Sequence, residues 1–398
     1  MVRLSDVKVA NRNFVGSLTS PLVAVFVGGT SGTCQYALHA LVSTTASVNN
    51  SNNNRHVQLR IYIVGRNQKA ADETIAQCSK TCPSAKITFV QAKDLALLKD
   101  VDQVCAEITR LETDDAADRN EKPRIDLLVM SQAGSIFVTR KDTSEGLDNL
   151  MSLMYYSRMR FIDRLLPLLL ESRLPNGSDD GSGDGDGGGN GHGASSSGGG
   201  GAHIISIYAP RTEGTLFPDD LSLRQPGHFT YLNARSHIAY FKTAFFETLV
   251  AKYPGKLSFS HVFPGLVNTP GFKNPDLPTW FKVVFAVVGR PLMWIVGTSH
   301  AENGARMLYM ATPHYPAGGG APSKGNGGND QRKKSNVAIG ADGKRGSGVY
   351  LVWNDNGTAS TEKVYEKSPV KKEKLREMVW RHTTSAFEEI ENGRVFEG

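Results

Sequence analysis

The chain has 398 residues, of which 39% are hydrophobic and 41 are glycine, enough for one large α/β domain outside its glycine-rich stretches. Its 45 Lys and Arg residues outnumber its 39 Asp and Glu residues, which gives a formal net charge of +6. No basic segment is interleaved with aromatic residues, so we expect no nucleic-acid partner, and an anionic cofactor is the simpler match for the charge.

The four cysteines, Cys34, Cys78, Cys82 and Cys105, are too few and too scattered for a disulfide framework. Cys78 and Cys82 stand four residues apart on a predicted helix with no further ligands near them in the sequence, so we predict no metal site. The first residues lack the apolar segment of a signal peptide, and we therefore expect a cytoplasmic location.

Strand and helix patterns alternate from Leu22 onward. The strand patterns are nearly continuous apolar runs, as expected of parallel strands that are buried on both faces. The predicted strands are Leu22–Gly28, Val57–Val64, Lys86–Gln91, Ile125–Ser131, His203–Tyr208, Leu257–Phe263 and Gly348–Trp353. The predicted helices are Thr33–Leu41, Asn67–Ser79, Leu95–Leu111, Glu145–Leu170 and Tyr231–Lys252. This alternation predicts an α/β fold, a Rossmann doubly wound parallel sheet of about seven strands in a single domain.

The remaining segments complete a predicted division of the chain. Residues 1–20 form an N-terminal extension, 21–312 the Rossmann domain, 313–347 an insertion, and 348–398 the last strand and a C-terminal helix. The Gly-rich stretch 175–202, the insertion and the Asn-rich stretch 48–55 are too polar to offset their ordering entropy, so we predict disorder in all three. Ser368 is the predicted cap of the C-terminal helix, whose apolar stripe packs against the body or against a second subunit.

The first predicted strand runs into the turn Gly28-Gly29-Thr30-Ser31-Gly32, and a predicted helix follows at once. This order is typical of a strand–turn–helix that binds a nucleotide. Gly28 permits the tight turn, Gly32 lets the backbone approach a diphosphate, and the helix N-terminus offers N–H donors to the anion. The candidate cofactor-binding residues of this turn are Gly28, Thr30, Ser31, Gly32 and Thr33.

Four later positions add to the cofactor site. Arg66 follows the second predicted strand, where a basic residue suits a 2′-phosphate and favours NADP(H); the alternative is a solvated arginine. Asp94 follows the third strand and either contacts adenine, caps a helix, or does both. Ala133 and Gly134 form a small-residue turn that lets the cofactor ribose lie close. Thr269 either hydrogen-bonds a nicotinamide carboxamide or belongs to a plain loop.

Taken together, these motifs resemble the short-chain dehydrogenase/reductases over roughly residues 20 to 312. The sequence looks most like the branch with retinol-dehydrogenase-like and protochlorophyllide-reductase-like enzymes, and like fungal members linked to secondary metabolism. It departs from the family at Cys34, where the third glycine is expected, and we expect looser helix–strand packing there. The matching motifs are Gly28–Gly32, Gly65-Arg66, Asp94-Leu95, Ala133-Gly134, Thr143–Leu147, Pro264-Gly265 and Ser299–Ala305.

The resemblance implies hydride transfer between a nicotinamide and a carbonyl or alcohol. In the family a Tyr moves the proton, a Lys four residues later lowers the pKa of that Tyr, a Ser polarises the carbonyl and an Asn completes a relay. Carried over position by position, the Asn falls on Met154 and the Ser on Ala209. Both roles are therefore lost from their usual positions.

The Tyr and Lys positions fit two registers. One gives Tyr231 and Arg235, and Arg holds a ribose and stabilises a phenolate but cannot pass a proton on. The other gives Asn233 and His237, and its helix pattern fits better. His237 titrates near neutrality and is a candidate acid or base. For Tyr231 and His237 alike, a purely structural role is the alternative.

Three functions stay open at this stage. The first is an NADP(H)-dependent oxidoreductase that interconverts a ketone and an alcohol, or reduces a double bond, on a hydrophobic small molecule. The others are a non-redox isomerase, dehydratase or cyclase, and a cofactor-binding protein without catalysis. The apolar stretch 280–297 is expected to form core or pocket-lid segments, with a peripheral membrane contact as the less favoured interpretation. The family commonly pairs subunits through the fourth and fifth helices of its sheet, which makes a homodimer the partner to test.

Overall fold

A computed structural model describes residues 1–51, 56–135, 139–174, 201–267, 269, 278–289, 297–318, 337–366 and 368–398. Eight strands form one sheet in the order β3-β2-β1-β4-β5-β6-β7-β8. The strands are β1 Leu22–Val27, β2 Leu59–Gly65, β3 Ala85–Gln91, β4 Leu127–Met130, β5 Ala202–Ile207, β6 Leu257–Val262, β7 Val349–Val352 and β8 Thr358–Ala359.

The first seven strands are parallel, and the two-residue β8 pairs antiparallel with β7. The predicted doubly wound parallel sheet is confirmed. Strand order reverses between β1 and β4, and in such sheets ligands bind beyond the carboxyl ends of the strands at that reversal.

Ten helices lie among the described residues. They are α1 Leu4–Ser17, α2 Gly32–Ser51, α3 Gln68–Thr81, α4 Leu98–Ala117, α5 (Asn149–Met151, a π-helical turn at Ser152–Tyr156, then Ser157–Leu169), α6 Tyr231–Lys252, α7 Thr279–Val284, α8 His300–Tyr309, α9 Glu362–Tyr365 and α10 Lys372–Glu391. One apolar cluster joins the sheet to α4, α5, α6 and α10, and a second joins its other face to α1, α2, α3 and α8.

The disorder predicted for the Asn-rich stretch is wrong for residues 48–51, which are helical because they complete α2. Asn49 accounts for this order. Its side chain donates to the Val57 carbonyl at 3.0 Å and accepts from the Val57 N–H at 2.8 Å. This pair of hydrogen bonds ties the end of α2 to the residues that lead into β2. Residues 52–55 lie outside the described part of the chain.

The insertion is likewise ordered where the structure describes it, at 313–318 and 337–347, so the prediction is wrong there. Ala338 and Ala341 are buried, and the Ala341 N–H donates to the Val349 carbonyl at 2.7 Å. A β-bridge between Ile339 and Arg345 closes the turn. Small apolar residues and pairing with β7 supply the order that composition alone did not indicate. Residues 319–336 and 175–200 lie outside the described chain, whereas the disorder predicted for Ala202 is wrong because this residue begins β5 and is buried.

Both ends of the chain pack on the body. In α1, Val7 and Phe14 are buried, and the Asn11 amide donates to the Ala305 carbonyl of α8 at 2.8 Å. At the other end α10 packs mainly against α6. This helix begins at Lys372 with Lys371 as its N-cap, so Ser368 is not the cap that the sequence predicts.

Candidate functional site

The turn after β1 has the geometry of an anion cradle. Gly28 has a φ of 83° and Gly32, the first residue of α2, a φ of 65°, a backbone conformation that favours glycine. A Cβ on Gly28 would lie 2.8 Å from the Ser131 Oγ, at the end of β4. A Cβ on Gly32 would lie 3.6 Å from Thr269. The predicted residues Gly28, Gly32 and Thr269 therefore meet at the N-terminus of α2, where N–H groups attract phosphate.

The second side of the cradle is the end of β2. A Cβ on Gly65 would lie 2.8 Å from the Thr30 Cγ2, so glycine at this position lets the turn cross the strand end. Arg66, the next residue, is exposed. Its carbonyl accepts a hydrogen bond from the Gln91 amide at 3.2 Å, which fixes its backbone beside the turn. The Arg66 backbone is thus anchored directly after Gly65, the residue that lies against Thr30.

The remaining predicted cofactor positions also follow the carboxyl ends of strands. Asp94 folds a tight turn, because its Oδ1 accepts from the Ala96 N–H at 2.9 Å. The cap of α4 is Leu97, so Asp94 is not that helix cap. Ala133 is exposed and Gly134 is half-buried in the segment after β4, where small residues leave room for a ligand.

Cys34 does not loosen the packing of α2. Its side chain is fully buried, and its Sγ lies 3.6 Å from the Val129 carbonyl oxygen of β4. Burial raises the pKa of this thiol to about 12. Cys34 is therefore a neutral packing residue between helix and sheet.

The structure brings the first catalytic register together. Thr230 caps α6 by accepting from the Asn233 N–H at 3.1 Å, so Tyr231 and Arg235 occupy its first turns. Both are half-buried and both act on Tyr208, just beyond β5. Burial raises the pKa of Tyr208 well above its ordinary value, and the Tyr231 hydroxyl raises it further, whereas the Arg235 charge lowers it. The Tyr208 hydroxyl nevertheless has no well-aligned hydrogen bond among the described side chains.

The second register, which the helix pattern favours, has His237 in contact with backbone groups of a neighbouring loop. The His237 Nε2 accepts the Phe217 N–H at 3.0 Å, and the Nδ1 lies 3.3 Å from the Leu221 carbonyl. Burial lowers the pKa of His237 to about 4. With both nitrogens in contact with backbone groups, the ring fastens the 217–221 loop. The partner position, Asn233, donates its amide to the His228 carbonyl at 2.8 Å.

The family's Ser and Asn positions hold side chains without proton chemistry. Ala209 and Met154 are both buried, Met154 within the π-helical turn of α5. Ser206, the nearest serine on β5, accepts a hydrogen bond from Arg158 at 2.9 Å. Its hydroxyl is already engaged inside the fold.

Sequence reasoning missed a buried cationic cluster below the strand ends, formed by Arg158 of α5, Lys242 of α6 and His261 of β6. The Arg158 guanidinium donates to the Gln132 carbonyl at 2.6 Å and to the Ile207 carbonyl at 2.7 Å, which clamps β4 to β5. The Lys242 Nζ and both His261 ring nitrogens are buried and lack hydrogen-bond partners among the described residues.

Mutual repulsion and burial account for the charge state of this cluster. Burial lowers the pKa of Lys242 well below normal, and Arg158 adds to the shift. Burial and these two cations also lower the pKa of His261. His261 is therefore neutral, and the charged form of Lys242 is disfavoured beside Arg158. The sequence did contain a signal for this cluster, a basic residue within a largely apolar segment. Lys242 lies in Phe241–Phe246, and His261 lies in β6.

Two named proteins are similar to the chain in sequence over nearly its full length. No family model matches the chain. The chain is 34% identical over 373 residues to a protein named short-chain dehydrogenase/reductase SAT2 from Stachybotrys chartarum, covering 93% of each. It is 29% identical over 392 residues to an oxidoreductase, AN1596, from Emericella nidulans, covering 98% of this chain and 99% of the relative.

A solved structure of Pseudomonas aeruginosa RhlG with NADP in its active site overlaps at a TM-score of 0.45 and 17% identity, covering 75% of this chain and 92% of that one. That overlap is too low to carry an argument. The sheet and the glycine cradle define an α/β protein of the nucleotide-binding Rossmann class. From the full-length identity to SAT2, the chain belongs to the short-chain dehydrogenase/reductases, a family of oxidoreductases.

Proposed function

We propose that the chain is an NADP(H)-dependent oxidoreductase that interconverts a ketone and an alcohol, or reduces a double bond, on a hydrophobic small molecule of secondary metabolism. One observation carries the cofactor choice. The exposed Arg66 follows Gly65, whose missing side chain lets Thr30 of the phosphate-binding turn lie against the end of β2. A guanidinium at this point matches a 2′-phosphate and would leave the ribose of NAD without its acidic partner.

The residues present fit such a cofactor. A side chain on Gly28 would collide with Ser131, so glycine is what lets the turn after β1 pack this closely against the end of β4. The diphosphate would lie at the N-terminus of α2, with Gly32 and Thr33 around it, and Arg66 would hold the 2′-phosphate. The nicotinamide, when bound, supplies or accepts the hydride.

The proton is the part of the reaction that this chain's own residues supply. Tyr231 is the half-buried tyrosine of the site, and its hydroxyl would give the proton to a developing alkoxide oxygen or take it back. Arg235, one helical turn further on, stabilises the resulting phenolate by charge without passing a proton on. Because Ala209 has no hydroxyl, the Tyr231 hydroxyl would also polarise the carbonyl, and a slower reaction than in family members with serine is expected.

Cofactor binding is the first test. NADPH and NADH are titrated by fluorescence against the wild-type protein and against Arg66→Ala, Arg66→Lys and Lys69→Ala, the last being an exposed basic residue on α3 as a matched control. We expect preference for NADPH, a loss of about tenfold or more in Arg66→Ala, partial retention in Arg66→Lys, and no change in Lys69→Ala. Equal affinity for both nucleotides in all four proteins would overturn the NADP(H) assignment.

A specific observation favours a second function in the same pocket, a non-redox isomerisation, dehydration or cyclisation. The family's Ser and Asn positions are Ala209 and the buried Met154, so two of the groups that assist hydride chemistry are missing. Conversion of a hydrophobic substrate with no net consumption of NADPH would support this alternative. NADPH oxidation that matches product formation mole for mole would exclude it.

A further inference from the structure

Helix α7 is exposed although its sequence is apolar. It continues beyond Val284 into a π-helical turn, Phe285–Gly289, and most of its large side chains face solvent. They recur at positions i, i+3, i+4, i+7 and i+8, which is one face of a helix. Their exposed fractions are 61% for Trp280, 57% for Val283, 52% for Val284, 69% for Val287 and 58% for Val288.

This exposure overturns the expectation that the segment is core, for the part that the structure describes. Within the apolar stretch 280–297, Phe285 is half-buried and Trp294 lies outside the described chain. Five large apolar side chains on one exposed face form a patch of the kind that marks an interaction site. Burying each would contribute on the order of 1 kcal/mol or more, so a partner surface has ample driving force.

The charge of the segment indicates the chemistry of that surface. From Leu277 to Ala301 the sequence contains no Asp or Glu, while Lys282 and Arg290 are its Lys and Arg residues. A helix with valines and a tryptophan on one face, a lysine and no acidic residue suits the interface of an anionic bilayer, where tryptophan rings prefer the headgroup level. No helix in the described chain is long and apolar enough to cross a membrane, so such a contact would lie on the bilayer.

The position of α7 relative to the site gives this contact a use. The Thr298 N–H donates to the Leu266 carbonyl at 3.0 Å, so the excursion that carries α7 leaves and rejoins the body at one point. That point is beside the cofactor cradle, because Thr269 borders the space above Gly32 at 3.6 Å. Both ends of the segment that carries α7 are therefore anchored beside the candidate site.

We propose that α7 is a monotopic docking helix that binds the surface of an anionic lipid bilayer through Trp280, Val283, Val284, Val287 and Val288. Given the proposed function, which this last step rests on, docking lets a lipophilic substrate pass from the bilayer to the site without crossing water. The docking itself needs neither cofactor nor turnover.

The experiment is vesicle flotation of the full chain with two vesicle types, phosphatidylcholine alone and equal parts phosphatidylcholine and phosphatidylserine. The variants are Val283→Asp and Val287→Asp, with Val9→Asp as the control because Val9 is 46% exposed on α1, away from α7. We expect the wild type and Val9→Asp to float with the anionic vesicles. Each α7 variant should lose about tenfold in bound fraction, and added salt should weaken binding because basic residues contribute.

The proposal would be overturned if the protein floated with neither vesicle type, or if Val9→Asp lost as much bound fraction as the α7 variants. It would also be overturned by a wild-type dimer in gel filtration that Val287→Asp dissociates, because the partner of α7 would then be a second copy of the chain. Melting temperatures and NADPH titrations of the same variants separate these outcomes from misfolding and from failure of the cofactor assignment. Variants that stay folded and bind NADPH like the wild type, yet no longer float, would assign the loss to α7 alone.

Discussion

The Nζ of Lys242 lies 5.1 Å from the centre of the Tyr208 ring, and within the described chain no carboxylate pairs with it. The amine is buried with no hydrogen-bond partner there, and burial holds its pKa well below normal. The interior of the fold between α6 and the sheet therefore disfavours the charged form of this lysine, which lies against an aromatic face.

Replacing this lysine by an apolar residue of similar length should stabilise the protein. We expect Lys242→Met to raise the free energy of unfolding by about 1–3 kcal/mol, the range for a buried polar group without a partner. Urea unfolding near neutral pH measures it, with Lys69→Met on the exposed face of α3 as the control. A destabilised Lys242→Met would mean that the amine has a partner such as a bound water or anion.

The same lysine predicts a rise of stability with pH. The folded protein releases the Lys242 proton at a lower pH than the unfolded chain does, because the unfolded chain holds that proton until the pH approaches the ordinary value of about 10.4. Unfolding therefore takes up a proton between these two pKa values, and the free energy of unfolding rises with pH through that window. Lys242→Met should show a shallower slope than the wild type as the pH rises toward about 10.

Acid should destabilise the protein through its buried histidines. Burial lowers the pKa of His237 to about 4 and that of His203 to about 4, against about 6.5 in the unfolded chain. Stability is thus complete above pH 6.5 and falls as the pH drops toward 4, because unfolding takes up these protons. His203→Leu should weaken this dependence in urea melts, whereas His56→Gln, at an exposed position, should leave it unchanged.

Activity should depend on Tyr231 and not on the acid–base chemistry of His237. We expect Tyr231→Phe to lower kcat by about 10²–10⁴, while Leu232→Ala, its 69% exposed neighbour, retains the wild-type rate. His237→Gln should retain the pH profile of kcat/KM per folded molecule and lose stability instead, because the Phe217 N–H loses its acceptor. A shifted acidic limb in the His237→Gln profile would restore the other register.

The cradle offers a matched pair of glycine substitutions. Gly28 and Gly227 have φ values of 83° and 82°, so alanine costs about 1–2 kcal/mol of backbone strain at either position. Only Gly28 is crowded, since a Cβ there meets Ser131 at 2.8 Å and one on Gly227 meets nothing within 4 Å. Gly28→Ala should therefore abolish nucleotide binding, and Gly227→Ala should bind nucleotide as the wild type does.

The sequence predicted the sheet well because its strands are apolar on both faces. It also predicted α6 to the residue, from Tyr231 to Lys252, since Thr230 is a good N-cap and the pattern is continuous. The backbone contacts of His237 were not predictable, because helical periodicity places this residue on an inward face without indicating which backbone groups lie opposite it. Lys242 was invisible for the same reason, as its surroundings come from β5 and β6, distant in the chain.

The C-terminal helix α10 has a consequence for assembly. It packs on α6, and its Thr383 and His382 hydrogen-bond Tyr155 and Tyr156 of α5, each at 2.6 Å. Helices α5 and α6 are the pair through which the family commonly joins subunits. Since a tethered segment outcompetes a free copy at ordinary concentrations, we expect a monomer by light scattering, with specific activity unchanged on dilution. The packing of α10 on α5 and α6 would then take the place of a contact between subunits. Because this packing lies within one chain, it would not depend on the protein concentration.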